Sequence, residues 1–147
     1  MLRRMACGTL LCAMAALTGA CSDTKTGPTA APVPVTETFD GTLNPVSTTV
    51  HPFITLTGGP VKLTLTAIGP DATKTVGFSL GTFNPTLNIC SVVFDNPAAL
   101  QGFEFSANAS TTGYYCARLY DNGTVAQAVA DGTATSFSYT VTAVHPQ

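Results

Sequence analysis

The sequence predicts an all-β fold, an antiparallel sandwich of about eight short strands, and three observations carry that expectation. Apolar residues recur at every second position in short segments, as they do in a strand with one buried and one solvated face. Clusters rich in Gly, Pro, Asn and Asp separate these segments at intervals of about 8 to 14 residues, and such clusters are turn chemistry. Threonine, whose β-branched side chain suits a pleated surface, supplies 23 of the 127 residues from Cys21 onward.

Taken in order, the chain opens with Arg3 and Arg4, a small and apolar run from Met5 to Leu17, and then Thr18-Gly19-Ala20-Cys21. A short basic start before an apolar run and small residues is the pattern of a secretory signal peptide, here residues 1–20. The run is about 13 residues, too short for the roughly 20 that a bilayer-spanning helix needs. Ser22 to Val35 contains three Pro and no hydrophobic period, which describes an extended tether. The sandwich is expected over residues 36–147.

Within it, Val61, Leu63 and Leu65 alternate with Lys62, Thr64 and Thr66; Val76, Phe78 and Leu80 alternate with Thr75, Gly77 and Ser79. Phe103 and Phe105 flank Glu104, and Tyr139 and Val141 alternate with Thr140 and Thr142. Further strands are expected at Glu37 to Leu43, Pro52 to Thr57, Ile89 to Phe94 and Tyr114 to Tyr120. Turns fall at Gly58-Gly59-Pro60, Gly69-Pro70-Asp71, Asn84-Pro85, Asn96-Pro97 and Asp121-Asn122-Gly123. Pro97 to Gln101 fits one helical turn, and Val125 to Ala130 fits either a short helix or a loop across one end of the sandwich.

Charge excludes one class of partner. Only six residues are Lys or Arg, and from Cys21 onward 4 basic residues face 8 acidic ones, a net −4. Nucleic-acid binding draws on clustered cations that release phosphate counterions, and this chain has none to offer.

Leu17-Thr18-Gly19-Ala20-Cys21 resembles the lipobox of bacterial lipoproteins. The resemblance implies that Cys21 becomes the first residue of the exported chain, carrying a diacylglycerol thioether and an amide-linked acyl chain. Residues 21–35 then tether the domain to a membrane, and Ser22 in second place resembles lipoproteins released toward an outer membrane where the host has one. Cys7 and Cys12 leave with the signal peptide, so Cys90 and Cys116 remain and are expected to form one disulfide in an oxidising compartment.

The segments Glu37-Thr38-Phe39-Asp40-Gly41-Thr42-Leu43, His51-Pro52-Phe53, Val76-Gly77-Phe78-Ser79-Leu80-Gly81, Gly113-Tyr114-Tyr115-Cys116-Ala117-Arg118-Leu119-Tyr120-Asp121 and Tyr139-Thr140-Val141-Thr142-Ala143-Val144-His145-Pro146 resemble, in that order, the bacterial pre-peptidase C-terminal domain and its small relatives in secreted proteins. The resemblance implies a jelly-roll-like β-sandwich that is non-catalytic. Some members of that family bind calcium, but Asp40, Asp71, Asp95, Asp121 and Asp131 form no Asp-x-Asp-x-Asp loop here and are read as turn residues.

Catalytic signatures are missing from the sequence. His51 and His145 each precede a Pro, which holds them extended and places them at strand edges. No Gly-x-Ser-x-Gly elbow, zinc helix or phosphate loop accompanies them. No enzyme activity, cofactor or metal is therefore expected. If Tyr115, Ala117 and Leu119 face the core, then Tyr114 and Tyr120 face outward, with Arg118 beside Tyr120, and these three are the candidate ligand-binding residues. The same parity puts Cys116 off the main core face, so its bridge would tie the strand to an edge or overlying segment. The expected role is a structural or protein-interaction module of the cell envelope. The alternative is a carbohydrate-binding module that stacks glycan on surface tyrosines.

Overall fold

The computed structural model describes residues 31–147, so the expected signal peptide, the expected lipidation at Cys21 and most of the expected tether lie outside the described residues. The chain forms β1 (Pro34–Leu43), β2 (Thr48–Thr55), β3 (Gly59–Gly69), β4 (Val76–Asn84), β5 (Ile89–Ala99), β6 (Glu104–Ala109), β7 (Gly113–Tyr120), α1 (Thr124–Ala130) and β8 (Phe137–Pro146). Two four-stranded antiparallel sheets result, ordered β1-β8-β3-β6 and β2-β7-β4-β5. Each strand of the first half pairs with its mirror image in the second: β1 with β8, β2 with β7, β3 with β6, β4 with β5. The chain is thus one long hairpin ribbon wound into two sheets, which is the jelly-roll arrangement.

Alternation determines which face is inside. Val61, Leu63 and Leu65 of β3 and Phe137, Tyr139, Val141 and Ala143 of β8 point into the space between the sheets, opposite Phe78, Leu80, Ala117 and Leu119. A register shift between Leu65 and Ala67 adds one residue to β3, so Ile68, three positions after Leu65, is also buried. Val125 and Ala128 of α1 join the same core.

Several boundaries differ from the sequence pattern for identifiable reasons. The second strand starts at Thr48, not Pro52, because Thr48 to Thr55 pair continuously with Tyr120 to Gly113. Pro52 is accommodated because β2 is an edge strand, where a missing N–H costs no ladder bond on the open side. Strand β5 runs through Asn96-Pro97, where a turn was expected: Asn96 Oδ1 accepts the Ala98 N–H, and Pro97 again sits on an edge strand. The expected helical turn at Pro97 to Gln101 is accordingly strand up to Ala99. Residues 124–130 are helix because Asp121 caps them, its carboxylate accepting the N–H groups of Gly123, Val125 and Ala126. It also accepts the Val46 N–H. Partial burial alone would raise the Asp121 pKa, but these four backbone donors outweigh it and hold the carboxyl below its ordinary value.

Strand β4 departs most from expectation. Its alternation suggests one wet face, yet every residue from Val76 to Gly81 is buried. Phe78 and Leu80 fill the core on one side, while Gly77, Ser79 and Gly81 form a shallow trough on the other. A Cβ at Gly77 would collide with the Tyr120 ring, and one at Gly81 with the Ser91 carbonyl. Small residues are needed there because the β5 backbone closes over Gly81 and because two groups from β7 reach across β4 to β5.

Candidate interaction surface

Those two groups are Tyr120 and Cys116. Tyr120 lies over Gly77 and its hydroxyl donates to Asp95 of β5, at 3.2 Å to Oδ1 and 3.0 Å to Oδ2. Ser79, in the trough between them, donates to the same Oδ1 at 2.7 Å. Two turns of the pleat away, Cys116 bonds Cys90 with Cα atoms 5.9 Å apart. The expected bridge is present, and it ties β7 to the edge strand β5 on the outer face instead of crossing the sandwich.

Of the candidate ligand-binding residues, the structure brings Arg118 and Tyr120 together and leaves Tyr114 apart. The Arg118 guanidinium sits 4.7 Å from the Tyr120 ring centroid, a cation–π contact. Burial, followed by the Asp95 carboxylate that accepts its proton, pushes the Tyr120 phenol above its ordinary value, while Arg118 pulls the other way. Both the face and the hydroxyl of Tyr120 are thus engaged within the protein. Tyr114 is exposed, but six residues along the strand place it about 20 Å from Tyr120, too far for one sugar ring to touch both.

The histidines are not at strand edges in the sense of being solvated; both rings point between the sheets. His51 on β2 stacks on Phe39 of β1, with centroids 5.1 Å apart, and its Nε2 is 2.7 Å from the Tyr139 hydroxyl. The Tyr139 hydroxyl also bonds Thr49 Oγ1, so the three groups form one hydrogen-bonded chain. Burial lowers the His51 pKa and raises that of Tyr139. His145 on β8 is fully buried against Phe53, with Nε2 2.9 Å from Glu37 Oε1 and Nδ1 3.4 Å from the Gln147 amide. The tautomer with hydrogen on Nε2 satisfies both neighbours, and pairing inside the sandwich explains why a polar ring is tolerated there.

The carboxylates are likewise occupied locally. Asp40 accepts from Thr140, Asp71 from Thr73 and Asp131 from Gln127. Among the described residues, no three His, Cys, Asp or Glu side chains converge as a metal site would require.

What the sequence reading did not anticipate lies on β5. Cys90 and Asp95 are five residues apart yet share the outer face, which strict alternation forbids. A bulge resolves this: Leu80 pairs with Phe94 and Gly81 with Val92, leaving Val93 without an opposite number. The strand leans out from the sandwich there, and Ile89, Val92, Val93 and Phe94, with Leu87 of the preceding turn, are all exposed. Behind them, the gap between β5 and β6 opens into a cleft of about 190 Å³ lined by Val61, Leu80, Val93, Phe94, Ala107 and Tyr115, among others. The available signal was the absence of any charged residue between Phe83 and Phe94.

The described residues thus define a disulfide-strapped jelly-roll sandwich with an open apolar rim. No protein-family model matches the chain, and no curated protein matches it. Among solved structures it is similar to Aeromonas hydrophila PliG, described as a periplasmic lysozyme inhibitor of g-type lysozyme. That likeness has 14% identity and a TM-score of 0.48, and covers 76% of this chain and 86% of the other. A similarity of that depth assigns neither family nor activity.

Proposed function

We propose that this protein is an exported, lipid-anchored, non-catalytic module of the bacterial cell envelope, with a structural or protein-interaction role exercised through the β5 rim. The observation that carries the reading is the uncharged, exposed apolar stretch from Leu87 to Phe94 beside the β5/β6 cleft. Apolar side chains on a strand with an unpaired edge favour association with another polypeptide. The engagement of His51 with Tyr139 and of His145 with Glu37 supports a non-catalytic role. The jelly-roll order supports the resemblance to pre-peptidase C-terminal domains.

On this reading residues 1–20 are removed, Cys21 carries the anchor, and residues 21–35 tether the sandwich, at the outer membrane where the host has one. Radiolabelled fatty acid should enter the full chain and be lost from Cys21→Ala; label retained in that variant sinks the anchor. For the rim, a photo-crosslinking residue at Val93 should yield polypeptide adducts in cells, and one at Thr36 on the opposite side should not. Equal adducts at both positions, or none at Val93, would overturn the assignment.

A further inference from the structure

The β5 rim has a self-complementary character, and from it we infer that its occupant is a second copy of this chain, the two β5 strands meeting antiparallel across a two-fold axis. This inference rests on the reading of the rim as a protein-docking surface and names the partner.

Charge is the first argument. Residues 31–147 carry Lys62, Lys74 and Arg118 against seven carboxylates, 3 minus 7, or −4, so two copies repel over most of their surfaces. Ile89 to Phe94 of β5 is a stretch of sheet edge along which they can meet with no like charges opposed. The other edges carry obstacles. Strand β1 holds Glu37 and Asp40. Strand β2 has Pro52 at its middle. Strand β6 is six residues long and bears Glu104, bridged to Lys62 at 3.1 Å. Charges, Pro and shortness are the devices that keep edges from pairing. Strand β5 carries its own charge and Pro, Asp95 and Pro97, in its second half, and between Ile89 and Phe94 it has neither.

Symmetry is the second. An antiparallel pairing of Ile89 to Phe94 with itself sets no charge opposite a charge and leaves Ser91 as the one free polar side chain in the register, and a two-fold axis closes the assembly at two copies.

Area decides the strength. Leu87, Ile89, Val92, Val93 and Phe94 are 64, 52, 38, 61 and 44% exposed. Together they present on the order of 400 Å² per copy, so two copies bury at most about 800 Å² of side chain, below the ~1,000 Å² at which specific interfaces begin. Paired backbone supplies the remainder. The bulge at Val93 restricts the regular ladder to a few residues, so the dimer is weak and reversible.

Sedimentation equilibrium tests this on the full chain carrying Cys21→Ala, which removes any acyl-driven association, from about 1 µM to 1 mM. Wild-type sequence at the rim should shift from one copy to two, Val93→Asp should weaken the association at least tenfold, and Thr36→Asp should leave it unchanged. Hydrogen exchange of the unsubstituted rim serves if Val93→Asp does not fold: amide protection across Ser91 to Phe94 should rise with concentration. A single copy throughout the series, or concentration-dependent protection on another strand, overturns the inference. If that single-copy result coincides with heterologous Val93 adducts in cells, the docking reading survives without its self-partner; if the adducts are absent too, both fall.

Discussion

On the side where β1 lies against β2, the gap between the sheets is filled by His51 stacked on Phe39, by Tyr139 hydrogen-bonded to His51 and Thr49, and by the His145–Glu37 pair. On the side where β5 lies against β6, the rings of Phe94 and Phe105 tilt together with centroids 6.1 Å apart, and the space beyond stays open as the cleft. The first side closes through directional bonds between groups that each need a partner, so it has one arrangement. The second is lined by groups that would gain by further burial. Held in one molecule, the two rims close by different means, one through directional bonds and the other through apolar contact that stops at the cleft.

That contrast can be broken in four ways. The largest effect is expected at the strap holding the open rim. Replacing both Cys90 and Cys116 by Ser releases a loop of about 27 residues and should cost about 3.5 kcal/mol in urea unfolding under oxidising conditions. A loss below about 1 kcal/mol would mean that β5 is held by Tyr120–Asp95 and its ladder alone. On the sealed rim, Glu37→Ala removes the acceptor of a fully buried His145 Nε2–H and should cost about 1 to 3 kcal/mol, with Glu37→Gln restoring most of it. Equal losses in both variants would show that charge, not satisfaction of the imidazole, matters there.

A smaller effect should appear with pH. Burial lowers the His51 pKa in the folded state, so below its ordinary value of 6.5 the unfolded chain takes up a proton that the folded chain resists. Its contribution is therefore complete above that pH and declines as pH falls toward the lowered folded value. Thermal melts at pH 7.5 and 5.5 should show a steeper decline for the native sequence than for His51→Gln; parallel declines would remove His51 from the account. The smallest effect is expected at the open rim itself, where Val93→Asp should change stability by no more than about 0.5 kcal/mol. A larger loss would mean that Val93 belongs to the core.

Much of this architecture was legible in the residues, because a period of two reports the buried face directly. Val61, Leu63 and Leu65, or Tyr139 and Val141, are inside because no other placement buries them together. The parity of β7 also located the bridge on the outer face. Three features were not legible. The wet face expected for β4 is covered because Tyr120, a residue distant in sequence, folds over Gly77, and alternation carries no record of what lies above a strand. His145 looked like a strand-edge residue because its Glu37 partner is brought in by the β1–β8 register, more than a hundred residues away. The rim escaped notice because Ile89 to Phe94 has the composition of a core strand, and only the bulge at Val93 turns it outward.

The pairing of β1 with β8 has a mechanical meaning as well. The Gln147 N–H donates to the Val33 carbonyl, so the two ends of the sandwich lie side by side, and ten residue pairs join the strands that follow them. Tension applied between those two ends would peel the pairs apart one after another. Tension directed along β1 against the rest of the sandwich would instead load all ten pairs at once in shear. The same domain would therefore yield more readily to a pull between its two ends than to one directed along β1.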